Sequence, residues 1–506
     1  MTAQVCDNFP FKAHFHRAFF VGNAYESVLL MSWYCLALGA AMSLTLPLLN
    51  LNAQSPEGYR IEVEVDYYPN DTLILGYYYG RGSYAKDTAI RVNGRFVFED
   101  TASLPQGLYF LLTRPNNNFV QFVVGKQQRF SIRTDYRYLQ DSIQVDGSRE
   151  SAILLEYSRF LKQMSQQANS YREKLNSLIL SEAEKEPYRR KLDSLDRVVR
   201  QYQDRIKKQY PHSLTASIIR IHWEPTPPAF EYIPDSAKRH EAQFWYYKRH
   251  YFDSIHPFDD RLIYTPFLHE KITRYVERLT VQVPDSIIKS VDQVLHLFPP
   301  TTESFRYFLP YFLNHYSQSR YVGADAVVVH LVNNYYARGL APWMKDEDLQ
   351  KLIAEAKSLE PTLIGKRAPD ITVYDSLRRP IRLYDINTPY TILVFWAPDC
   401  GHCKKALPKL ESWYAHYPEK DSVTVLAVCT KLLDKEPNCW KMVREKRFKH
   451  LLYASDKYLR SKFAAKYHVN VTPKIFILDK DKKILIKDIA VEQLDEVMKK
   501  IKTLHP

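Results

Sequence analysis

Phe395-Trp396-Ala397-Pro398-Asp399-Cys400-Gly401-His402-Cys403-Lys404-Lys405 follows the apolar run Tyr390–Trp396 and leads into an amphipathic stretch, 404–417. The run has the length and composition of a buried strand, and the stretch after it has helical spacing. The two cysteines therefore fall in a strand-to-helix turn, with the helix beginning near Cys400. Unpaired amides and the macrodipole at a helix start favour an anion, so this placement predicts a stabilised Cys400 thiolate. Two intervening residues across the first helical turn let the second sulfur reach the first and close a reducible disulfide. Cys400, exposed at the helix end, is the candidate nucleophile toward a partner's disulfide. Cys403, one turn in and more buried, is the candidate resolving thiol. His402 and the two lysines add positive charge near the sulfurs, whereas the Asp399 carboxylate opposes thiolate formation.

Strand and helix patterns alternate on both sides of this segment. Residues 422–428, 474–478 and 483–489 read as strands, and 458–467 and 491–501 as helices. An α/β domain with a mixed sheet is predicted for 360–506. Three motifs then carry a family resemblance. They are Gly365-Lys366-Arg367-Ala368-Pro369-Asp370, the Phe395-Trp396-Ala397-x-x-Cys400-x-x-Cys403 run, and Tyr467-His468-Val469-x-x-Thr472-Pro473-Lys474-x-Phe476-Ile477-Leu478-Asp479. Together they resemble the thioredoxin superfamily, and within it the exported TlpA/ResA-like thiol-disulfide oxidoreductases, over about residues 363–503. The resemblance implies a thioredoxin-like fold, catalytic Cys400 and Cys403, and modulating roles for His402, Asp399 and Trp396. It also implies a cis Pro473 which, with Thr472, presents backbone to a substrate strand. The partners implied are proteins bearing disulfides or thiols and a membrane thiol electron donor, with no cofactor and no metal.

Three departures from the family pattern concern the direction of electron flow. Val394 stands where thioredoxin has a buried Asp, and Asp399 stands where an aromatic is usual. Gly401-His402 matches the dipeptide of protein disulfide isomerases. By analogy the couple moves toward the roughly −180 mV of the isomerases and away from the roughly −270 mV of thioredoxin.

Six cysteines are present, and Cys6 and Cys35 fall in residues 1–54, which read as a leader. Cys400, Cys403, Cys429 and Cys439 all lie in the last 107 residues. A zinc site built from the two later pairs is disfavoured, because nine residues between Cys429 and Cys439 is wide for a structural ligand pair. Cys429, ending a strand, reads as a small buried apolar residue, with a Cys429–Cys439 disulfide as the alternative in an exported protein. A peroxiredoxin reading lacks the threonine usually found upstream of the reactive cysteine, since Ala397-Pro398-Asp399 has none. His222, His250 and His256 show no metal-ligand spacing.

Upstream, residues 27–54 carry no charge, and a small polar run, Asn50-Leu51-Asn52-Ala53-Gln54, ends the apolar stretch. Residues 1–54 read as a secretory signal cut after Ala53, with an uncleaved membrane anchor as the alternative. Cys35 stands at the start of the apolar run, which argues against a lipoprotein site. Either reading places the remainder outside the cytoplasm, in the periplasm. Residues 55–145 read as a small antiparallel β-sandwich. Ile61, Val63, Val65 and Tyr67 alternate with acids, and Asn93-Gly94 gives a two-residue hairpin signal.

Residues 146–359 read as an α-helical domain. Leu154, Tyr157, Leu161, Met164, Ala168, Tyr171, Leu175 and Leu178 alternate spacings of three and four, and Leu192, Leu195, Val199, Tyr202 and Ile206 repeat this after Pro187. The pattern predicts a long helical hairpin, joined at the Glu-rich segment before Pro187, and a candidate homodimer surface. Shorter helices are expected over 287–297 and 324–337. The aromatic cluster Phe244-Trp245-Tyr246-Tyr247 with His250, Tyr251 and Phe252 reads as core, with a substrate groove as the alternative.

Of 506 residues, 45% are apolar and 25% charged, which excludes a largely disordered chain. The net charge of +13 belongs mostly to 360–506, where 28 Lys/Arg face 18 Asp/Glu in mixed order. Interspersed charge of this kind marks a solvated surface and argues against a nucleic-acid role, with steering of acidic partner proteins as the alternative. Two function classes remain: an exported enzyme exchanging thiols and disulfides, and a binding protein with a passive thioredoxin-like module. The cysteine pair, Trp396 and the Thr472-Pro473 loop together favour the enzyme.

Overall fold

The computed structural model describes residues 58–504 apart from 178, 256, 257 and 320. The expected leader, Leu178 and His256 lie outside the described residues. Eight amino-terminal strands, β1 (Arg60–Asp66), β2 (Thr72–Tyr79), β3 (Gly82–Ile90), β4 (Phe96–Glu99), β5 (Gly107–Leu112), β6 (Phe119–Val124), β7 (Arg129–Asp135) and β8 (Gln144–Asp146), form two four-stranded sheets. Their orders are β4-β1-β7-β8 and β3-β2-β5-β6. Ile61, Val63 and Val65 enter one core with Leu73, Leu75, Tyr109 and Phe122. On the opposite face of β1, Glu62 and Glu64 pair with Arg95.

The all-antiparallel expectation is corrected by β1 and β7, which pair in parallel from Arg60↔Arg129 to Asp66↔Asp135. Parallel neighbours need a long crossover, and here β2 to β6 supply it. Asn93 and Gly94 do form the expected turn, with φ of 51° and 81°. It closes a single bridge, Val92↔Arg95, because β3 and β4 then leave for different sheets.

The chain divides into two compact units. One holds the described residues to Tyr77 with Ala85–Ala216, and the other holds Tyr78–Tyr84 with the residues from Ser217 onward. In the first, α1 (Arg149–Leu175) and α2 (Glu182–Gln209) lie side by side. Phe160 stacks on Tyr202 with centroids 3.9 Å apart, and Gln203 donates to the Tyr157 hydroxyl at 2.8 Å. Helix α2 starts ahead of Pro187, contrary to the sequence-based expectation. Ser181 caps it in a reciprocal pair with Glu184, satisfying two amides that a helix start leaves open. Pro187, six residues in, then forfeits only the bond to the Ala183 carbonyl. The buried Ser151 fastens α1 to β6, since its hydroxyl donates to the Val123 carbonyl at 2.8 Å and accepts from the Val123 amide at 3.1 Å.

Helix α3 (Leu214–Ile221) straddles the division between the units. The second unit continues with α4 (Ser236–Arg249), α5 (Pro266–Thr273), α6 (Pro284–Leu295), α7 (Glu303–Ser317), α8 (Asp325–Leu331) and α9 (Asp346–Leu359). The aromatic cluster around α4 is only partly core. Tyr251 and Phe252 are buried, whereas Phe244 and Trp245 are 38% and 46% exposed, because α4 is polar and buries none of its residues.

An α/β region follows, comprising β9 (Thr372–Tyr374), β10 (Pro380–Arg382), β11 (Tyr390–Trp396), α10 (Gly401–His416), β12 (Val423–Cys429), α11 (Pro437–Glu445), β13 (Leu452–Ser455), α12 (Phe463–Lys466), β14 (Lys474–Leu478), β15 (Ile484–Lys487) and α13 (Leu494–Leu504). Its sheet runs β10-β9-β13-β12-β11-β14-β15, with β11 parallel to β12 and antiparallel to β14. Period-two alternation serves both faces of β11. Ile392, Val394 and Trp396 enter the core under α10, and Leu393 and Phe395 the core on the other side. The helix expected over 458–467 contracts to α12, because Leu459 and Lys462 adopt positive φ. No helix among the described residues is long and apolar enough to cross a membrane.

Replacing Ser151 with Ala leaves the Val123 amide without its partner and weakens the hold on its carbonyl. The expected loss is about 1–3 kcal/mol of unfolding free energy, read by urea denaturation of the full chain. An unchanged midpoint would show that the hydroxyl does not hold α1 to the sheet.

Candidate active site

Strand β11 ends at Trp396, whose carbonyl accepts from the Thr430 amide at 2.8 Å just past β12. The chain then turns through residues 397–399, and Cys400 becomes the N-cap of α10 with φ −82° and ψ 121°. An N-cap side chain ordinarily supplies an oxygen to the open amides of the first turn. Here the Cys400 sulfur takes that place, accepting from the Cys403 amide at 3.4 Å. Cys400 is partly exposed and Cys403 fully buried, and both are free thiols. The Ala397 amide donates to Cys403 Sγ at 3.5 Å. From the opposite side comes the loop before β14. Its Thr472–Pro473 peptide bond is cis, and the Thr472 carbonyl accepts from the Cys400 thiol at 3.1 Å. Two separate elements thus bracket Cys400.

The environment splits the two thiols. For Cys400, partial burial works against the thiolate. Hydrogen bonds from the Thr472 side chain, from Cys403 and from the His402 amide outweigh it and hold the thiol below its ordinary range. For Cys403, burial dominates and pushes the thiol up to about 11. Asp399 points into solvent and pairs with Lys431 at 2.7 Å. The hydrogen bond from Lys431 leads the causes that hold its carboxyl below the usual range. His402 is exposed on the first turn of α10, and Trp396 is buried in the same core as Cys403. Val394 occupies the core as an apolar side chain with no proton to exchange.

Comparison with known proteins bears on this arrangement. The thiol-disulfide oxidoreductase ResA of a Bacillus cereus strain is 32% identical over 145 residues, which are 28% of this chain and 80% of that protein. The chain belongs to the ResA-like thiol-disulfide oxidoreductases. The AhpC/TSA family profile matches residues 364–486 of this oxidoreductase, and a domain of unknown function, DUF4369, matches 59–154. Among solved structures, a domain of a possible thiol-disulfide isomerase from Cytophaga hutchinsonii is 32% identical, covering 28% of this chain and 94% of that one, with a TM-score of 0.26. A thioredoxin-like protein from Bacteroides caccae is 17% identical, covering 56% of this chain and 98% of that one, with a TM-score of 0.41.

Two features of the oxidoreductase lie outside the favoured sequence reading. One is Lys431, which only tertiary structure brings to Asp399. The other is the Cys429–Cys439 disulfide, the alternative to the favoured reading of Cys429 as a plain apolar residue: Cys429 is buried and bonded to Cys439. Helix α11 has no counterpart among the expected elements, and it is this helix that carries Cys439 back over the end of β12. That bond occupies two of the four sulfurs that such a zinc site would have needed.

The split between the two thiols has a direct readout in the reduced protein. Iodoacetamide near neutral pH is expected to modify Cys400 alone, with Cys403 silent until the pH approaches about 11. Mass spectrometry of the alkylated protein checks this, and equal labelling of both residues at pH 7 would contradict the geometry. Stability follows the same group. Cys403 titrates above its ordinary value of 9.0, so its contribution is present below pH 9 and lost as the pH rises toward about 11. The Cys403→Ser protein should lack that alkaline loss.

Proposed function

We propose that the protein is an exported enzyme exchanging thiols and disulfides in periplasmic proteins through the Cys400-Gly401-His402-Cys403 couple. The observation that carries this reading is the asymmetry of the two sulfurs: one at the open end of α10 beside the Cys403 amide, the other buried behind it. In the reducing direction the Cys400 thiolate attacks a partner's disulfide. A new sulfur–sulfur bond forms to Cys400, and the partner's other sulfur leaves as a thiolate. Cys403 then loses its proton and attacks Cys400 Sγ, which closes the Cys400–Cys403 disulfide and releases the partner's second thiolate. Two electrons pass to the partner, and a membrane thiol donor restores the dithiol. The reverse sequence oxidises the partner. Thr472 and Pro473 offer backbone to the substrate strand, and His402, Asp399 and Trp396 tune the couple. Ala397-Pro398-Asp399 supplies no hydroxyl upstream, so disulfides are favoured over peroxides as substrates.

In the proposed organisation, residues 1–54 are a secretory signal or membrane anchor and 55–145 a β-sandwich. Residues 146–359 form a helical scaffold whose long hairpin offers a homodimer surface, and 360–506 form the catalytic domain. The charge-free, apolar stretch 27–54 supports export.

Insulin reduction by dithiothreitol tests the activity. The wild-type protein should accelerate it, and Cys400→Ser should lose nearly all of the acceleration. Equal rates would leave only a passive binding module. The Cys403→Ser protein should trap partners as mixed disulfides through Cys400, seen as reductant-sensitive adducts from the periplasmic fraction. Equilibration with glutathione should give a potential nearer roughly −180 mV than roughly −270 mV, and a value at the low end would reverse the isomerase-like reading.

A further inference from the structure

We propose that Lys431 is a positioning residue for the Cys400 nucleophile, cancelling the charge of the Asp399 carboxylate that precedes it in the chain. The inference rests on the reading of Cys400 as the nucleophile. An uncompensated carboxylate at that position favours the thiol over the thiolate. Lys431 Nζ stands 2.7 Å from Asp399 Oδ2, and of the two side chains the lysine is the more enclosed, at 24% exposure against 67%.

The frame that presents this lysine is built from elements other than α10. Thr430, its neighbour, donates both its amide (2.8 Å) and its hydroxyl (3.1 Å) to the Trp396 carbonyl. One residue earlier, Cys429 is bonded to Cys439, so the segment between them is a closed loop. Inside that loop the Leu433 amide bonds to the Lys457 carbonyl at 3.0 Å. The buried Glu436 carboxylate is held by Ser455, Trp440 and Arg378. Lys431 is therefore anchored on both sides, and its ammonium meets Asp399 from a direction fixed by β12 and α11. A lysine on a free surface loop would lose much of such a pairing to solvent and side-chain entropy.

The charged and titratable groups around Cys400 come from several elements. Helix α10 contributes Cys403 and the exposed His402, Lys404 and Lys405. The turn contributes Asp399, and the segment after β12 contributes Lys431 with the more distant Lys435. At the start of β14, Lys474 is buried and directed to the His468 carbonyl. Asp399 is the acid next to the nucleophile, and Lys431 is the cation bonded to it.

The test uses the reduced full-length chain and follows iodoacetamide alkylation of Cys400 against pH by mass spectrometry. Lys431→Met should raise the midpoint by about half a pH unit, roughly a threefold loss of thiolate near neutrality. Its couple should become more reducing, because a less stabilised thiolate disfavours the dithiol form. Adding Asp399→Asn to Lys431→Met should return both readouts to near their wild-type values. An unchanged midpoint in a Lys431→Met protein that retains the Cys429–Cys439 bond would overturn the proposal. So would a shift that persists undiminished in the Asp399→Asn background. Insulin reduction by the wild-type protein reports separately on Cys400: its absence would remove the nucleophile reading and leave the midpoint shift to be judged by itself.

Discussion

A sulfur at the cap of a helix is the contact on which this site depends. Oxygen caps are common because they satisfy open amides. Cys400 satisfies one with an atom that can also form and break a covalent bond. The turn that starts α10 and the Thr472 loop together hold one thiol below its ordinary range, and the helical rise then carries Cys403 into the core that holds Trp396, away from water. Difference in depth, more than difference in neighbouring charge, separates the two thiols. The cap is held in turn by β11, whose alternating side chains fill cores on both faces of the sheet and leave the strand end little freedom.

The α/β region is legible because local and long-range signals agree there. Tyr390–Trp396 and Lys474–Leu478 are apolar runs of strand length, and both are strands with the expected bounds. Amphipathic spacing after Cys403 announces α10, although the helix begins at Gly401, where the cap and not the apolar pattern decides. What stays hidden are features set by tertiary structure. Polar α11 lacks a long apolar stripe, so the helix that returns Cys439 to Cys429 leaves no local signal, and the disulfide reads in the sequence only as an alternative. The Asp399–Lys431 pair joins residues 32 positions apart on different elements.

Upstream the failures have a different origin. The spacing of apolar residues in α1 and α2 is readable, but as a boundary signal the proline masks the capping box. Ser181 and Glu184 stand in plain view, and they start the helix. Asn93-Gly94 forms its turn as composition demands, yet a turn constrains only its own four residues. Whether the flanking segments then pair is decided by which sheet has room for them. Phe244 and Trp245 look like core residues by type alone, without a period to say which side of α4 they occupy.

The parallel partnership of β1 and β7 has a consequence for how the amino-terminal region acquires its shape. Arg60 and Arg129 are 69 positions apart, and β1 lies between β4 and β7 inside its sheet. Strand β1 must therefore keep one edge open until the five strands β2 to β6 that separate it from β7 in the chain have been made. Such distant pairing slows assembly, because chain closure has to precede the contacts that reward it.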